Sequence, residues 1–256
     1  MSRKKTENYQ VPSINKAIDI ILLLSRRPNL SMKEICSEFQ LPFSTCFNIL
    51  TTLENRDFVR KEPQTNLYNL GYALMRLGLQ IYEGIDLRKL VIPYMQDLVS
   101  KYGETSYLAA IDYSTYEGVV LEKIQSPKTI IVTRQVGSKF PLYATNTGKS
   151  LLAGLTPKQL DEYFKVVKLV PFTNKTVIDE SKLREEIQLI QQRGYATTYD
   201  EMEEGASGVS APIKDFQGKV VAAISLAGPT QRMVNHIPQM IDEIKQIGDT
   251  ISQSLR

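Results

Sequence analysis

Residues 31–53 of the chain read SMKEICSEFQLPFSTCFNILTTL, and this stretch decides the fold of the first part of the molecule. Ser31 and Glu34 have the spacing of a capping box, in which the serine hydroxyl accepts a backbone N–H and the glutamate reaches back, so a helix is expected to begin here. Gln40 and Leu41 end that helix, and Pro42 suits the first turn of the next because its missing N–H costs nothing there. The stretch therefore predicts two short helices joined by a tight turn, the helix-turn-helix arrangement.

Apolar residues repeat at helical spacing in this pair and in a further helix that precedes it, and each stripe is expected to face the core. The inward-facing residues are predicted to be Ile14, Ala17, Ile18, Ile21, Leu22 and Leu24 in the first helix, Met32, Ile35, Cys36 and Phe39 in the second, and Cys46, Ile49, Leu50 and Leu53 in the third. In a helix-turn-helix the last of these helices enters the major groove of DNA. Its outer faces are left with Phe43, Ser44, Thr45, Phe47, Asn48 and Thr51.

A hairpin is predicted directly after the helices, because residues 58–61 and 67–70 flank the polar turn 62–66. Such a hairpin is the wing of a winged helix-turn-helix, and it places Arg60 and Lys61 for contacts with phosphates. Residues 1–80 hold eleven Lys and Arg against seven Asp and Glu, and this surplus includes a basic arm at residues 3–5. The helices alone are equally consistent with a helical domain carrying a surface hairpin. The wing and the local basic excess favour double-stranded DNA as the partner of residues 1–72.

A linker helix is predicted over residues 73–90, where Leu74, Leu77, Ile81 and Ile85 repeat at intervals like those of a coiled coil. Such a seam would pair with a partner subunit, although a single helix packed on its own domain is also consistent with so short a repeat. Pro93 is expected to begin a fresh helix that runs to about Lys101.

The rest of the chain, residues 91–256, alternates between strand-like and helix-like patterns. Strands are predicted at 105–111, 118–124 and 129–135, and a hairpin at 209–214 and 219–227; helices are predicted at 147–155, 157–164, 180–193 and 233–255. This order indicates an α+β domain with a mostly antiparallel sheet covered by helices.

Segments in both parts of the chain resemble the IclR family of transcriptional regulators. The stretch Leu41–Leu50 is similar to the family's recognition helix, 137–153 (GSKFPLYATNTGKSLLA) to its loop-and-helix segment, and 193–229 to its C-terminal signature. The matches keep the family's order and cover roughly residues 12–250. The resemblance implies a GAF-like α/β sensor domain, homodimers or tetramers built as dimers of dimers, and control by a small-molecule effector.

The same resemblance implies an effector pocket, and its residues carry over to Asn146, Thr147, Thr198, Ala206, Gly208, Ser225 and Ala227. Family members that bind small oxo-acids tend to have more polar or acidic groups at some of these positions, notably an Asp at position 198 and a Cys at position 208. Thr198, Gly208 and Ala227 therefore depart from them. Small residues at 206, 208 and 227 are expected to leave room for an aromatic or longer organic acid. The alternative is that these positions are ordinary loop and strand packing.

The sequence gives little support to an enzymatic function. It holds one histidine and has no nucleophile–base pair and no metal-ligand spacing. Residues Thr147-Gly148-Lys149-Ser150 resemble the end of a phosphate-binding loop, but such a loop needs a glycine at position 143, where this chain has Tyr143. No catalytic residue, cofactor or metal is therefore expected, and the acidic run Asp200, Glu201, Glu203 and Glu204 is interpreted as a solvated loop. No signal peptide or membrane span is evident, and two cysteines on inward stripes fit the cytoplasm. A regulator-like interaction module without DNA binding is the remaining alternative.

The base preference of the recognition helix can be predicted from its departures from the family. Family members usually carry basic residues where this chain has Phe43 and Asn48. Asparagine pairs with adenine edges and apolar side chains contact thymine methyls, so half-sites leaning towards A·T are expected. Enrichment of bound sequences from a random DNA library measures this preference, and G·C-rich half-site cores would contradict it.

Overall fold

The structure is a computed structural model that describes residues 11–83 and 86–255. The chain divides into two compact units, Met1–Ile85 and Asp86–Arg256. The basic arm at residues 3–5 and the seam residue Ile85 lie outside the described residues, as does the side chain of Ile81.

The first unit consists of three helices, a two-stranded hairpin and a fourth helix. They are α1 (Pro12–Arg26), α2 (Met32–Glu38), α3 (Phe43–Asn55), β1 (Val59–Lys61), β2 (Tyr68–Leu70) and α4 (Tyr72–Glu83). The capping box is formed, because Glu34 N donates to Ser31 Oγ at 3.3 Å and Ser31 N donates to Glu34 Oε2 at 2.8 Å. The strands of the wing pair antiparallel, with Arg60 opposite Asn69. The helix-turn-helix and its wing are therefore present.

The buried face of α1 differs from the predicted stripe. Ile20 and Leu24 are buried, whereas Ile14, Ile18 and Leu22 are each about half exposed. The apolar face of α1 is wider than the part of the helix that the rest of the unit buries. The helical spacing of the apolar residues therefore does not show which of them face the core. The second and third helices follow the prediction, with Ile35, Cys46, Ile49 and Leu50 buried and the other stripe residues at the edge of the same core.

The second unit is a six-stranded antiparallel sheet with helices on it, in agreement with the α+β prediction. Its elements are α5 (Asp86–Tyr102), β3 (Thr105–Asp112), β4 (Glu117–Ile124), β5 (Lys139–Pro141), α6 (Asn146–Leu152), α7 (Pro157–Val166), α8 (Glu180–Arg193), β6 (Ala196–Tyr199), β7 (Ala206–Lys214), β8 (Val220–Pro229), α9 (Thr230–Met233) and α10 (Ile237–Ser254). The strand order is β5-β4-β3-β8-β7-β6. Helix α6 lies on β6, β7 and β8, while α10 covers β7 and α5 covers β3 and β4.

Two predictions in the second unit are wrong. Residues 129–135 form no strand; this segment passes over the sheet, and its backbone bonds to the Tyr107 hydroxyl, which donates to Val132 O and accepts from Arg134 N. Pro93 does not begin a helix but lies inside α5. The packing of Val91 and Met95, which are fully buried on either side of Pro93, offsets the helix hydrogen bond that proline removes.

Gly71 and Gly78 give a matched test of the close approach between the backbone just before α4 and the backbone at Asp57. A Cβ on Gly71 would lie 2.1 Å from the carbonyl oxygen of Asp57, whereas one on Gly78 would meet nothing within 4 Å. Gly71→Ala should therefore destabilise the first unit by roughly 2 kcal/mol or more, and Gly78→Ala should stabilise it by up to about 1 kcal/mol. Hydrogen exchange in urea, followed on peptides from residues 12–70, measures both. Equal effects of the two changes would contradict the close approach at Gly71.

Candidate functional site

The outer face of α3 presents side chains to solvent at the positions predicted to contact bases. Phe43 and Phe47 are 61% and 52% exposed, Ser44 and Asn48 are exposed, and Thr45 and Thr51 are half-buried. Two phenylalanines in water are costly unless they have a partner surface, so this face is typical of a contact surface and not of a solvated helix.

The wing holds its two cations against tyrosine rings. The Arg60 guanidinium lies 5.4 Å from the Tyr72 ring centroid, and the Lys61 ammonium lies 5.7 Å from that of Tyr68. Among the described residues, neither cation has a carboxylate within ion-pair distance. Both charges are therefore placed on an ordered hairpin and available to an external anion such as a phosphate.

A cavity of about 60 Å³ lies in the second unit, between the sheet and the beginning of α6. Five of the seven predicted effector residues line it. These five are Asn146, Thr147, Thr198, Ala206 and Ala227. The sheet brings three predicted positions into one row, because Thr198 pairs with Gly208 and Gly208 with Ala227.

The other two predicted residues lie behind the cavity wall. The Ser225 hydroxyl accepts a hydrogen bond from Thr147 Oγ1 at 2.8 Å, which holds α6 on the sheet. Gly208 lets the Asn146 side chain approach, since a Cβ there would lie 2.7 Å from Asn146 Oδ1. The space at Gly208 is thus filled by this chain itself and does not enlarge the cavity, contrary to the expectation from its small size.

Two other sequence interpretations change in the structure. Thr145 caps α6 by accepting from Gly148 N at 3.1 Å, so this N–H of the helix start is not free for a ligand. Lys149 is fully buried, and its ammonium donates to Glu186 at 2.8 Å and Glu201 at 2.6 Å. Glu201 is therefore not part of a solvated acidic loop. Burial raises the pKa of its carboxyl, although the Lys149 ammonium opposes this.

Asp200 is likewise not a free, fully exposed carboxylate. Its carboxylate bonds to the ammonium of Lys175 at 2.6 Å and accepts from Gly205 N at 3.0 Å. The Lys175 hydrogen bond is the main reason why the pKa of Asp200 lies below its usual value. Glu203 and Glu204 are exposed, as predicted for all four residues of the run. Among the described residues, no cluster of His, Cys, Asp and Glu has a geometry suited to a metal ion.

Several cavity residues were not predicted from the sequence. They come from β3, β4, β5 and the segment over the sheet, and they include Tyr107, Val120, Val132, Arg134 and Phe140. Arg134 was missed because residues 129–135 were assigned to a strand of the sheet. The side chain of Arg134 lies over Phe140, with its guanidinium carbon 5.6 Å from the ring centroid. Burial lowers the pKa of Arg134, although the arginine remains a cation.

The two thiols of the first unit are free, with Cys46 buried and Cys36 half-buried. Burial, helped by the neighbouring Cys36 thiol, raises the pKa of Cys46 to about 12. Such a thiol stays protonated and is a poor nucleophile.

Comparison with known proteins matches both units of the chain. The family model for the C-terminal domain of bacterial IclR transcriptional regulators covers residues 79–253, and that for the IclR helix-turn-helix domain covers residues 13–63. The chain belongs to the IclR family. Its members are DNA-binding transcriptional regulators, and the matched curated relatives are regulators and not enzymes.

Individual relatives match over nearly the whole chain. The regulator KipR of Bacillus subtilis is 27% identical over 95% of this chain and 96% of its own length, and the repressor IclR of Escherichia coli is 26% identical over 88% and 83%. The IclR structure from Thermotoga maritima superposes with a TM-score of 0.80 at 31% identity, over 95% of this chain and 98% of that chain. An IclR homologue from Microbacterium hydrocarbonoxydans, complexed with 4-hydroxybenzoate, shares the fold with a TM-score of 0.83 at 22% identity, over 95% and 99%. None of the described helices of this IclR-family chain has the length and apolar character to cross a membrane.

The role of the wing cations can be measured by salt dependence. Replacing Arg60 and Lys61 by Gln should weaken DNA binding and lower the slope of log affinity against log salt by about 0.9 for each phosphate that the variant no longer neutralises. Lys33→Gln, on α2, removes one charge outside the predicted interface and serves as the control. An unchanged slope in the double variant would exclude the wing from the interface.

Proposed function

We propose that this IclR-family regulator binds operator DNA through α3 and the wing, and that an organic acid bound in the cavity of the second unit controls its affinity for the operator. The observation that carries the effector half of the proposal is the cavity itself, where five residues carried over from the family's effector pocket meet around one space. The proposed DNA contacts are those on the outer face of α3 and at Arg60 and Lys61.

The volume of the cavity bears on the class of acid. At about 60 Å³ the cavity is less than half the size of an engineered cavity of roughly 150 Å³ that binds benzene. The walls are mainly apolar, with Val120, Phe140 and Ala227 among them. A volume of this size favours a compact acid, and an aromatic acid needs the segment over the sheet to shift outwards.

Self-association is part of the proposal, because recognition helices of a dimer match two half-sites on one face of DNA. The first unit exposes apolar side chains on two helices. They are Ile14, Ile18 and Leu22 on α1, and Met75 and Leu77 on α4. This much exposed apolar surface favours a homodimer, or a tetramer assembled from dimers. As a regulator of transcription it is proposed to act in the cytoplasm, where the DNA of a bacterium lies.

The proposal is tested by mobility shift on the DNA upstream of the protein's own gene, with and without a panel of compact and aromatic acids. Ala227→Phe fills the cavity and should abolish the response to the acid while leaving DNA affinity unchanged. Tyr199→Phe, on the exposed side of β6, is the matched control and should respond like the unmodified protein.

Two outcomes would change the conclusion. Retention of the full acid response in Ala227→Phe would place the effector elsewhere. Absence of specific DNA binding at moderate salt, with every acid tried, would favour the interaction module without DNA binding.

A further inference from the structure

The cavity contains two hydrogen-bond donors that the chain itself does not satisfy. Asn146 is only 6% exposed, and among the described residues its side-chain Nδ2 has no acceptor. Leaving a buried amide donor unpaired is unfavourable, because the donor has lost its hydrogen bonds to water. Such a donor either destabilises the fold or donates a hydrogen bond to a bound ligand.

Arg134 is the second donor. It lines the same cavity, and within the described part of the chain its guanidinium has neither a hydrogen-bond acceptor nor a carboxylate at ion-pair distance. Glu203 is near enough to act on its charge but forms no ion pair with it. A cation that is partly withdrawn from water without a counterion is unfavourable, and an anion in the cavity would relieve this.

The two donors belong to different parts of the fold. Arg134 is carried by residues 125–138, the strap, which connects β4 to β5. Asn146 is the first residue of α6. The strap is fastened beside the cavity by the Tyr107 hydroxyl, at 3.0 Å from Val132 O and 3.0 Å from Arg134 N, and farther along by Arg232, which donates to Ile130 O at 2.8 Å. None of these hydrogen bonds joins the strap to α6.

From this arrangement we infer that the carboxylate of the bound acid lies between Arg134 and Asn146, and that the acid thereby fastens the strap to α6. The inference rests on the proposed function and adds to it the anchoring residues and the part of the fold that responds. A carboxylate has about four acceptor sites, enough for the guanidinium fork and the amide together. The body of the acid then lies against the ring of Phe140 and the other apolar walls.

Matched acids and amides separate charge recognition from simple filling of the cavity. Isobutyrate with isobutyramide, and benzoate with benzamide, differ in charge and little in shape, and calorimetry of the full-length protein gives their affinities. We expect at least one acid to bind and its amide to bind about tenfold more weakly or worse, since a hydrogen bond to a charged group contributes about 1.5–3 kcal/mol.

Two variants test the two anchors. Arg134→Gln removes the cation, and Asn146→Asp replaces the amide donor by a carboxylate of the same size, which cannot donate and repels an acid. Both should lower acid affinity about tenfold or more and thereby narrow the difference in affinity between the acid and its amide. Arg193→Gln removes a cation that stacks on Tyr195 outside the cavity, and its acid affinity should be unchanged.

Hydrogen exchange tests the fastening. The acid should slow exchange of amides in the strap of the unmodified protein and have no such effect in Asn146→Asp. Slowed exchange only in the sheet would mean that the acid binds without joining the strap to α6, and would overturn that half of the inference.

The outcomes also distinguish this inference from the proposed function. Equal binding of acids and amides, abolished for both in Ala227→Phe, would keep the cavity as the effector site and refute the carboxylate anchor. Acid affinity that is unchanged in Arg134→Gln and Asn146→Asp would do the same. Failure of all four probes to bind, with an acid response still present in the mobility shift, would refute the cavity as the site of control.

Discussion

The buried ammonium of Lys149 is the interaction on which the geometry of the second unit depends. An isolated ammonium in the protein interior is prohibitively costly, so its position fixes where its partners must be. Glu186 belongs to α8 and Glu201 to the turn between β6 and β7, and both are within 2.8 Å of the Lys149 Nζ. Helix α6 is thereby held at one place and one rotation about its axis. Because the cavity is formed at the start of this helix, its shape follows from that ion pair.

The contact between α6 and the sheet is polar as well as close. Thr147 bonds to Ser225 and Ser150 to Ser210, each at 2.8 Å, and Gly148 lets the helix meet the backbone of Leu142. Buried hydroxyls must be paired, so these four hydroxyl positions specify the register of helix on sheet more strictly than apolar residues of the same size would. Ser225, which the family resemblance assigns to the effector pocket, therefore acts in this fold as the hydrogen-bond partner of Thr147.

Local signals in the sequence were sufficient for the helix-turn-helix and its wing, and not for the strap of the second unit. The capping box at Ser31, the break at Pro42 and the polar turn after Lys61 each act within a few residues, and the sequence predicted the helix-turn-helix and its wing from them. The strap could not be predicted in this way, because its apolar residues are held by the distant Tyr107 hydroxyl and not by a neighbouring strand. Arg134 was missed with it. The cavity residues on α6 and the sheet were obtained by resemblance alone, since nothing in their local pattern distinguishes them from packing.

Helix α5 is attached to the rest of the second unit near both of its ends, and the strap forms one of these attachments. The strap begins beside the end of this helix, where Ser126 Oγ donates to Gly103 O at 2.6 Å and Lys128 Nζ donates to Tyr102 O at 3.3 Å. At the other end of α5, Arg88 is buried and ion-paired with Glu122 on β4, the strand that leads into the strap. The helix has 17 residues, and its two attachments, at Arg88 and Tyr102, are about 21 Å apart along it. A ligand shifts such an element only by the difference in its affinity for the two arrangements. Interactions that hold the strap therefore act on α5 at one of its ends, in addition to the packing of β3 and β4 against the helix.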